Sequence, residues 1–91
     1  MSPNKHIMNT YTFNQSCVTI AEDIIIVSPY NEESIEALVI NGEIHIEFER
    51  DNYTFPFTFE SLQTIVIMAE IFYDSEDIAL VREFLSDVNT K

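Results

Sequence analysis

Apolar and polar residues alternate through 35–59, which reads IEALVINGEIHIEFERDNYTFPFTF, and this alternation predicts β-strands. Two turn dipeptides, Asn41-Gly42 and Asp51-Asn52, divide the stretch into three short runs. Asn-Gly between apolar runs is the strongest short-range hairpin signal, because a type I′ turn needs a positive φ at both central residues. The stretch therefore predicts a three-stranded antiparallel meander.

The two turns also fix which residues of the meander face each other. A two-residue loop at Asn41-Gly42 pairs Ile40 with Glu43, Val39 with Ile44, Ala37 with Ile46 and Ile35 with Phe48. A two-residue loop at Asp51-Asn52 pairs Phe48 with Phe55, Ile46 with Phe57 and Ile44 with Phe59. Both registers place apolar side chains on one face, which predicts an aliphatic and aromatic inner face. The predicted outer face carries Glu36, Glu43, His45, Glu47, Glu49, Thr54 and Thr58, with Leu38 and Ile40 near the first turn.

The residues before the meander predict further strands. Residues 1–9 are polar and contain a proline, so we expect a flexible arm there. A weak alternation at 11–13 indicates an edge strand, and the β-branched runs 17–20 and 24–28 indicate a hairpin, although 17–27 also has the length of one buried helix. Segment 31–40 is either a strand or a helix, and the matched faces across Asn41-Gly42 favour the strand. Pro56 places the third meander strand at a sheet edge or a bulge.

After Thr58 the apolar period changes from two to that of a helix. Thr58 is a suitable cap for a helix over 59–73, and Asp74 is a suitable cap for a second helix over 75–88, with Asp77 in the capping-box position. The sequence thus predicts an α+β fold: an antiparallel meander sheet of about four to six strands within 10–59, followed by two C-terminal helices packed on its apolar face. Residues 10–91 are expected to form a single domain.

Charge is the outlying property of this composition. Sixteen acids against four bases give a formal charge of −12 over 91 residues, beyond the magnitude of roughly 2–8 that solubility requires of a small domain. Such a chain is repelled by nucleic acid phosphates and by anionic membranes, and it is attracted to basic surfaces. We therefore expect neither direct nucleic acid binding nor membrane binding.

Cysteine usage and hydropathy bear on the compartment. Cys17 is the only cysteine, so no intrachain disulfide can form, which fits a reducing environment. No apolar run approaches the ~18 residues of a membrane span, and the first nine residues lack the apolar segment of a signal peptide. We expect a cytoplasmic protein.

No catalytic motif is found in the sequence. The chain has no G-x-S-x-G, no H-E-x-x-H and, with Gly42 as its one glycine, no phosphate-binding loop. Glu43, His45 and Glu47 share a strand face and are competent metal ligands, but three ligands in a row on a flat strand do not converge on one ion. We therefore expect neither an enzyme nor a cofactor or metal site.

The acids themselves are the candidate binding residues. Alternate strand residues lie roughly 6.5–7 Å apart, similar to the distance between phosphates along a nucleic acid strand, and Glu43, Glu47 and Glu49 are expected to form one column. The predicted partner-binding residues are Glu36, Glu43, Glu47 and Glu49 on the meander and Glu70, Asp74, Glu76 and Asp77 at the helix–helix turn. They predict an inhibitor that mimics a polyanion and binds a basic nucleic-acid-handling protein or nuclease. In character the chain resembles the anti-restriction and anti-CRISPR proteins of phages, a resemblance that covers no motif.

Two other function classes remain open. An immunity protein or antitoxin that masks a basic nuclease toxin uses the same electrostatics. A homo-oligomeric adaptor, for example a homodimer, acts instead through the apolar helix 59–73, and the acidity then serves only solubility.

Overall fold

The computed structural model describes residues 8–88. Within that range the chain forms β1 (Met8–Phe13), β2 (Ser16–Ala21), β3 (Ile24–Ser28), β4 (Ile35–Ile40), β5 (Glu43–Phe48), β6 (Asp51–Pro56), α1 (Phe59–Ser75) and α2 (Ile78–Val88). A single 3₁₀ turn, Pro29–Asn31, joins β3 to β4. All neighbouring strands pair antiparallel in the order β1-β2-β3-β4-β5-β6. The predicted α+β architecture, a meander sheet followed by two helices, is confirmed.

The first meander hairpin has the predicted register. Asn41 and Gly42 have φ values of 54° and 78°, as a type I′ turn demands. Ala37 pairs with Ile46, Val39 with Ile44 and Ile40 with Glu43. Segments 16–21, 24–28 and 35–40 are strands, so the helical alternatives for 17–27 and 31–40 are wrong.

The second meander turn lies two residues earlier than predicted. Glu49 and Arg50 form it, with Glu49 at a φ of 56°, and Ile44 pairs with Phe55 where Phe59 was expected. The shift of four residues is even, so β6 keeps its apolar side chains on the inner face. The earlier turn sets Tyr53 beside Phe48, with ring centroids 6.2 Å apart. Strand β6 is an edge strand that ends at Pro56, as the proline predicts.

Both helices pack on the inner face of the sheet. The central row of that face runs across the strands through Ile20, Ile25, Ala37, Ile46 and Tyr53. The buried core adds residues from every layer: Val18, Val27, Ile44, Phe48, Leu62, Ile65, Val66, Met68, Ala69, Val81 and Leu85. Each large side chain buried there contributes about 1.5–3 kcal/mol relative to exposure, which explains why the helices hold to this face.

The junction between the helices differs from the prediction. Thr58 caps α1 as expected, accepting from the Ser61 amide at 3.1 Å, but α1 continues through Asp74 to Ser75. Glu76 then takes a left-handed conformation with a φ of 54°. Asp77 caps α2, since its Oδ1 accepts from the Ala79 amide at 3.0 Å. The predicted cap at Asp74 is therefore wrong, and α2 begins at residue 78.

The N-terminal prediction falls mostly outside the described residues. Residues 8 and 9 of the expected arm belong to β1, and residues 1–7 lie beyond the described range. Neither described helix has the length and apolarity required to cross a membrane.

Candidate partner-binding surfaces

The outer face of the sheet is the side that α1 and α2 leave open. One row of its paired residues crosses β2 to β6 through Ala21, Ile24, Leu38, His45 and Thr54. Aliphatic side chains lie at its centre, where Leu38 is 49% exposed and Ile24 40%. Strands β1 and β2 contribute hydroxyl groups and the half-buried Cys17. Acidic side chains follow on β4 and β5.

Glu36, Glu43 and Glu47 stand around His45 on this face, and we call these three glutamates and His45 the outer strip. Glu36, Glu47, His45 and Asn52 line a shallow depression of about 430 Å³ between β4, β5 and β6. The Nε2 atom of His45 lies 3.7 Å from Oε1 of Glu43. Three carboxylates thus face solvent together, and no lysine or arginine of the described chain lies on this face.

Glu49 does not belong to the outer strip. Strand β5 ends at Phe48, and the left-handed conformation of Glu49 turns the chain there. Its side chain lines a different depression, of about 510 Å³, together with Glu33, Tyr73 and Glu76. The predicted column of Glu43, Glu47 and Glu49 is wrong, because the turn comes two residues earlier than the sequence indicates.

A second acidic surface forms where the 3₁₀ turn, the β5–β6 turn and the end of α1 meet. We call it the acidic end, and it consists of Glu32, Glu33, Glu49, Asp74 and Glu76. Tyr30 and Tyr73 lie among these acids with ring centroids 5.5 Å apart. Sequence reasoning missed Glu32 and Glu33, whose position depends on how the 3₁₀ turn folds back against α1.

A hydrogen bond inside the molecule occupies Asp74 at this acidic end. The Tyr30 hydroxyl donates to Oδ2 of Asp74 at 2.8 Å, and this hydrogen bond, with some desolvation, raises the pKa of Tyr30 to about 12. Burial raises the pKa of Tyr73 as well, together with the charges of Glu32 and Glu33. A negative field favours the neutral phenol, so the neighbouring carboxylates add to the effect of the hydrogen bond on the pKa of Tyr30 and of burial on the pKa of Tyr73.

Glu70 and Asp77, two further predicted partner-binding residues, have structural contacts. Ser16 is fully buried, and its hydroxyl donates to Oε2 of Glu70 while accepting from the Tyr30 amide at 2.9 Å. This chain of contacts ties β2, the 3₁₀ turn and α1 together. Asp77 is occupied as the cap of α2. The acids predicted at the helix–helix turn therefore lie near one another, but they differ in role. Glu70 and Asp77 make hydrogen bonds within the fold.

The two described arginines border the acidic end. The guanidinium of Arg82 donates from Nε and Nη2 to both oxygens of Asp51, at 2.6 and 2.9 Å, and the Tyr53 hydroxyl donates to the same carboxylate at 2.9 Å. These hydrogen bonds hold the pKa of Asp51 below its usual value and raise that of Arg82. Arg50 is exposed in the β5–β6 turn, beside Glu49 and Glu76.

The described chain, residues 8–88, offers no group of three histidine, cysteine or acidic side chains arranged to hold a metal ion. Glu43, His45 and Glu47 spread along β5 without converging. Comparison with family models, curated proteins and solved structures found no match for the chain. Any functional assignment must therefore come from the geometry and charge of these surfaces.

Proposed function

We propose that this protein is a small acidic, non-catalytic inhibitor that binds a basic nucleic-acid-handling protein by mimicking a polyanion. The observation that carries the proposal is the outer strip. Glu36 on β4 and Glu43 and Glu47 on β5 stand around His45 on an open face, and no lysine or arginine of the described part of the chain lies there.

Like charges that face each other on adjacent strands cost stability, and the register of β4 and β5, continued one residue beyond the Ala37–Ile46 pair, sets Glu36 opposite Glu47. A basic partner removes that cost on binding and gains from the release of the counterions that both surfaces hold. The proposal explains why these three glutamates face solvent together although the fold gains no stability from them. Solubility alone is served equally well by acids distributed over the helices.

The acidic end extends the proposed contact. Glu33, Glu49 and Glu76 line one depression, while Asp74 and Glu70 hold that end of the molecule in shape through Tyr30 and Ser16. We assign the first three to the partner and the last two to the fold. The proposed setting is the cytoplasm of a cell infected by a phage or carrying a mobile element, where a host defence protein that binds nucleic acid is the target.

The test begins with the tagged protein incubated in nuclease-treated host lysate at low salt, followed by elution with excess duplex DNA. We expect DNA to release a basic nucleic-acid-binding protein. For the purified pair, affinity should fall about tenfold or more between about 50 and 200 mM salt. A complex that resists both DNA and salt contradicts the proposal.

Two triple variants locate the binding surface. Glu36→Gln, Glu43→Gln and Glu47→Gln together remove three charges from the outer strip, whereas Glu60→Gln, Glu83→Gln and Asp87→Asn remove three from the helices. The net charge of both variants is the same, so only placement distinguishes them. We expect the first to lose about 100-fold in affinity and the second to bind nearly as the parent does. If both variants lost affinity equally, only net charge would matter for binding. That result would contradict binding through the outer strip.

The same experiment separates an immunity protein from an inhibitor of host defence. If the captured protein is a nuclease toxin encoded beside this chain, the masking function is correct and the outer strip covers the toxin's basic surface. If it is a restriction or CRISPR effector, the protein acts in defence evasion.

A further inference from the structure

The two edges of the sheet are built differently. Strand β6 forms one edge, where Asp51 is held by Arg82 and Pro56 lacks an amide donor. Strand β1 forms the other edge and reads MNTYTF, without a charge, a proline or a glycine. An edge strand presents a row of backbone donors and acceptors, and natural proteins blunt such edges with charges, prolines or bulges. None of these devices is present in β1.

An apolar groove runs beside the β1 edge. It lies between the end of β1 and helix α1, holds about 580 Å³, and is lined by Phe13, Phe59, Val66 and Ile67 among other residues. Phe59 is 56% exposed and Ile67 42%, and the rings of Phe13 and Phe59 pack with centroids 5.4 Å apart. Strand and groove therefore form one continuous surface that offers both backbone hydrogen bonds and apolar contact.

The charges around the β1 edge and its groove determine which kind of partner can bind there. Glu70 is the one ionisable side chain that lines the groove within residues 8–88, and it is held by the Ser16 hydroxyl. All other acids of the described chain lie elsewhere. Two copies of a chain with a charge of −12 repel each other at nearly every approach, and at the β1 edge the Glu70 carboxylate, held by Ser16 of its own copy, is the one acid that lines the groove within the described residues. A basic partner gains little at a surface of this kind.

We propose that β1 pairs antiparallel with β1 of a second copy across a two-fold axis, which joins the two sheets into one. An axis perpendicular to the sheet keeps both helical layers on the same side. Antiparallel pairing sets the Phe13 end of each β1 opposite the residue-8 end of the other β1, so Phe59 and Ile67 of each copy lie above the first half of the other copy's β1. The inference goes beyond the proposed inhibitor function and does not depend on it, since the outer strip stays open in both copies.

The test is the molar mass in solution, measured by sedimentation equilibrium and by light scattering on a sizing column. We expect twice the chain mass of 10.6 kDa. The dissociation constant of the dimer should fall as the salt concentration rises, because screening weakens the repulsion between the two acidic copies. A single chain mass at every concentration up to about 1 mM overturns the proposal.

Two matched variants test whether the two copies meet at the groove beside β1. Ile67→Glu puts a charge into the groove, and Leu80→Glu puts the same charge on α2 at a side chain of similar exposure, 43%. We expect the first to raise the dissociation constant of the dimer about 100-fold or more and the second to leave it unchanged. Circular dichroism checks that both fold. The opposite order of effects, or equal effects, overturns the assignment.

Backbone hydrogen exchange tests the strand pairing separately. The outward amides of β1 should exchange slowly in the dimer and rapidly in a monomeric Ile67→Glu variant, while those of β3 remain slow in both. Slow exchange in a monomer would mean that another part of the same chain covers the edge, and that result also overturns the proposal.

Discussion

The outer strip and the acidic end are both clusters of carboxylates, yet only the acidic end supplies a carboxylate, that of Asp74, to a hydrogen bond that joins distant parts of the fold. In the acidic end, Asp74 accepts from Tyr30, and nearby Glu70 accepts from the buried Ser16. In the outer strip, Nε2 of His45 lies 3.7 Å from Oε1 of Glu43. Carboxylates that accept hydrogen bonds stabilise the fold, whereas carboxylates that face only one another destabilise it. Equal charge density therefore does not imply an equal role.

The largest expected effect separates binding from stability. The outer strip variant with Gln at 36, 43 and 47 should lose about 100-fold in partner affinity, while its free energy of unfolding stays level or rises by about 0.5–1 kcal/mol as the cross-strand repulsion is removed. Urea unfolding measures the second quantity. A variant that loses both affinity and stability would mean that these glutamates have a structural role after all.

Glu70→Gln should act in the opposite direction. The substitution replaces a charge-assisted hydrogen bond to the buried Ser16 with a weaker neutral one, so we expect the free energy of unfolding to fall by about 1 kcal/mol. Partner affinity of the folded protein should stay unchanged. Urea unfolding compared with Glu83→Gln, an exposed acid in the middle of α2, provides the control. A loss of affinity with stability intact would return Glu70 to the binding surface.

Asp77→Ala tests whether Asp77 acts as the N-cap of α2 or as a partner-binding residue. Removing the acceptor of the Ala79 amide should lower the free energy of unfolding by about 1 kcal/mol, and Asp77→Ser should restore most of it, because serine is also a good cap. If serine fails to restore stability, the negative charge rather than the hydrogen bond matters there.

Tyr30→Phe gives the smallest effect and the most specific signature. The pKa of Tyr30 in the folded state, about 12, lies above the ordinary value near 10, so the folded protein keeps a proton that the unfolded chain releases. Its contribution to stability is complete below pH 10 and is lost as the pH rises toward 12. Absorbance near 295 nm should show the latest-titrating tyrosine disappear in the variant. If the amplitude lost on Tyr30→Phe lies near pH 10 instead of near pH 12, the hydrogen bond to Asp74 is contradicted.

Local pattern predicted most of the fold. Asn41-Gly42 fixed the first hairpin because few sequences tolerate two successive positive φ values, and the helical period after Thr58 identified α1. The period-two alternation placed Glu36, Glu43 and Glu47 on the outer face even though the second turn was misplaced, since an even shift preserves the face. The fold class and the outer strip therefore follow from the sequence alone.

The tertiary structure decided the contacts that join distant segments. Glu49 became the β5–β6 turn, where the earlier register pairs Phe48 with Asp51 and brings Asp51 to Arg82. Glu32 and Glu33 joined the acidic end because the 3₁₀ turn folds back on α1. Asp77 rather than Asp74 became the cap once α1 gained another half-turn. Each of these outcomes depends on packing between segments far apart in the chain, and alternation along the sequence carries no information about such contacts.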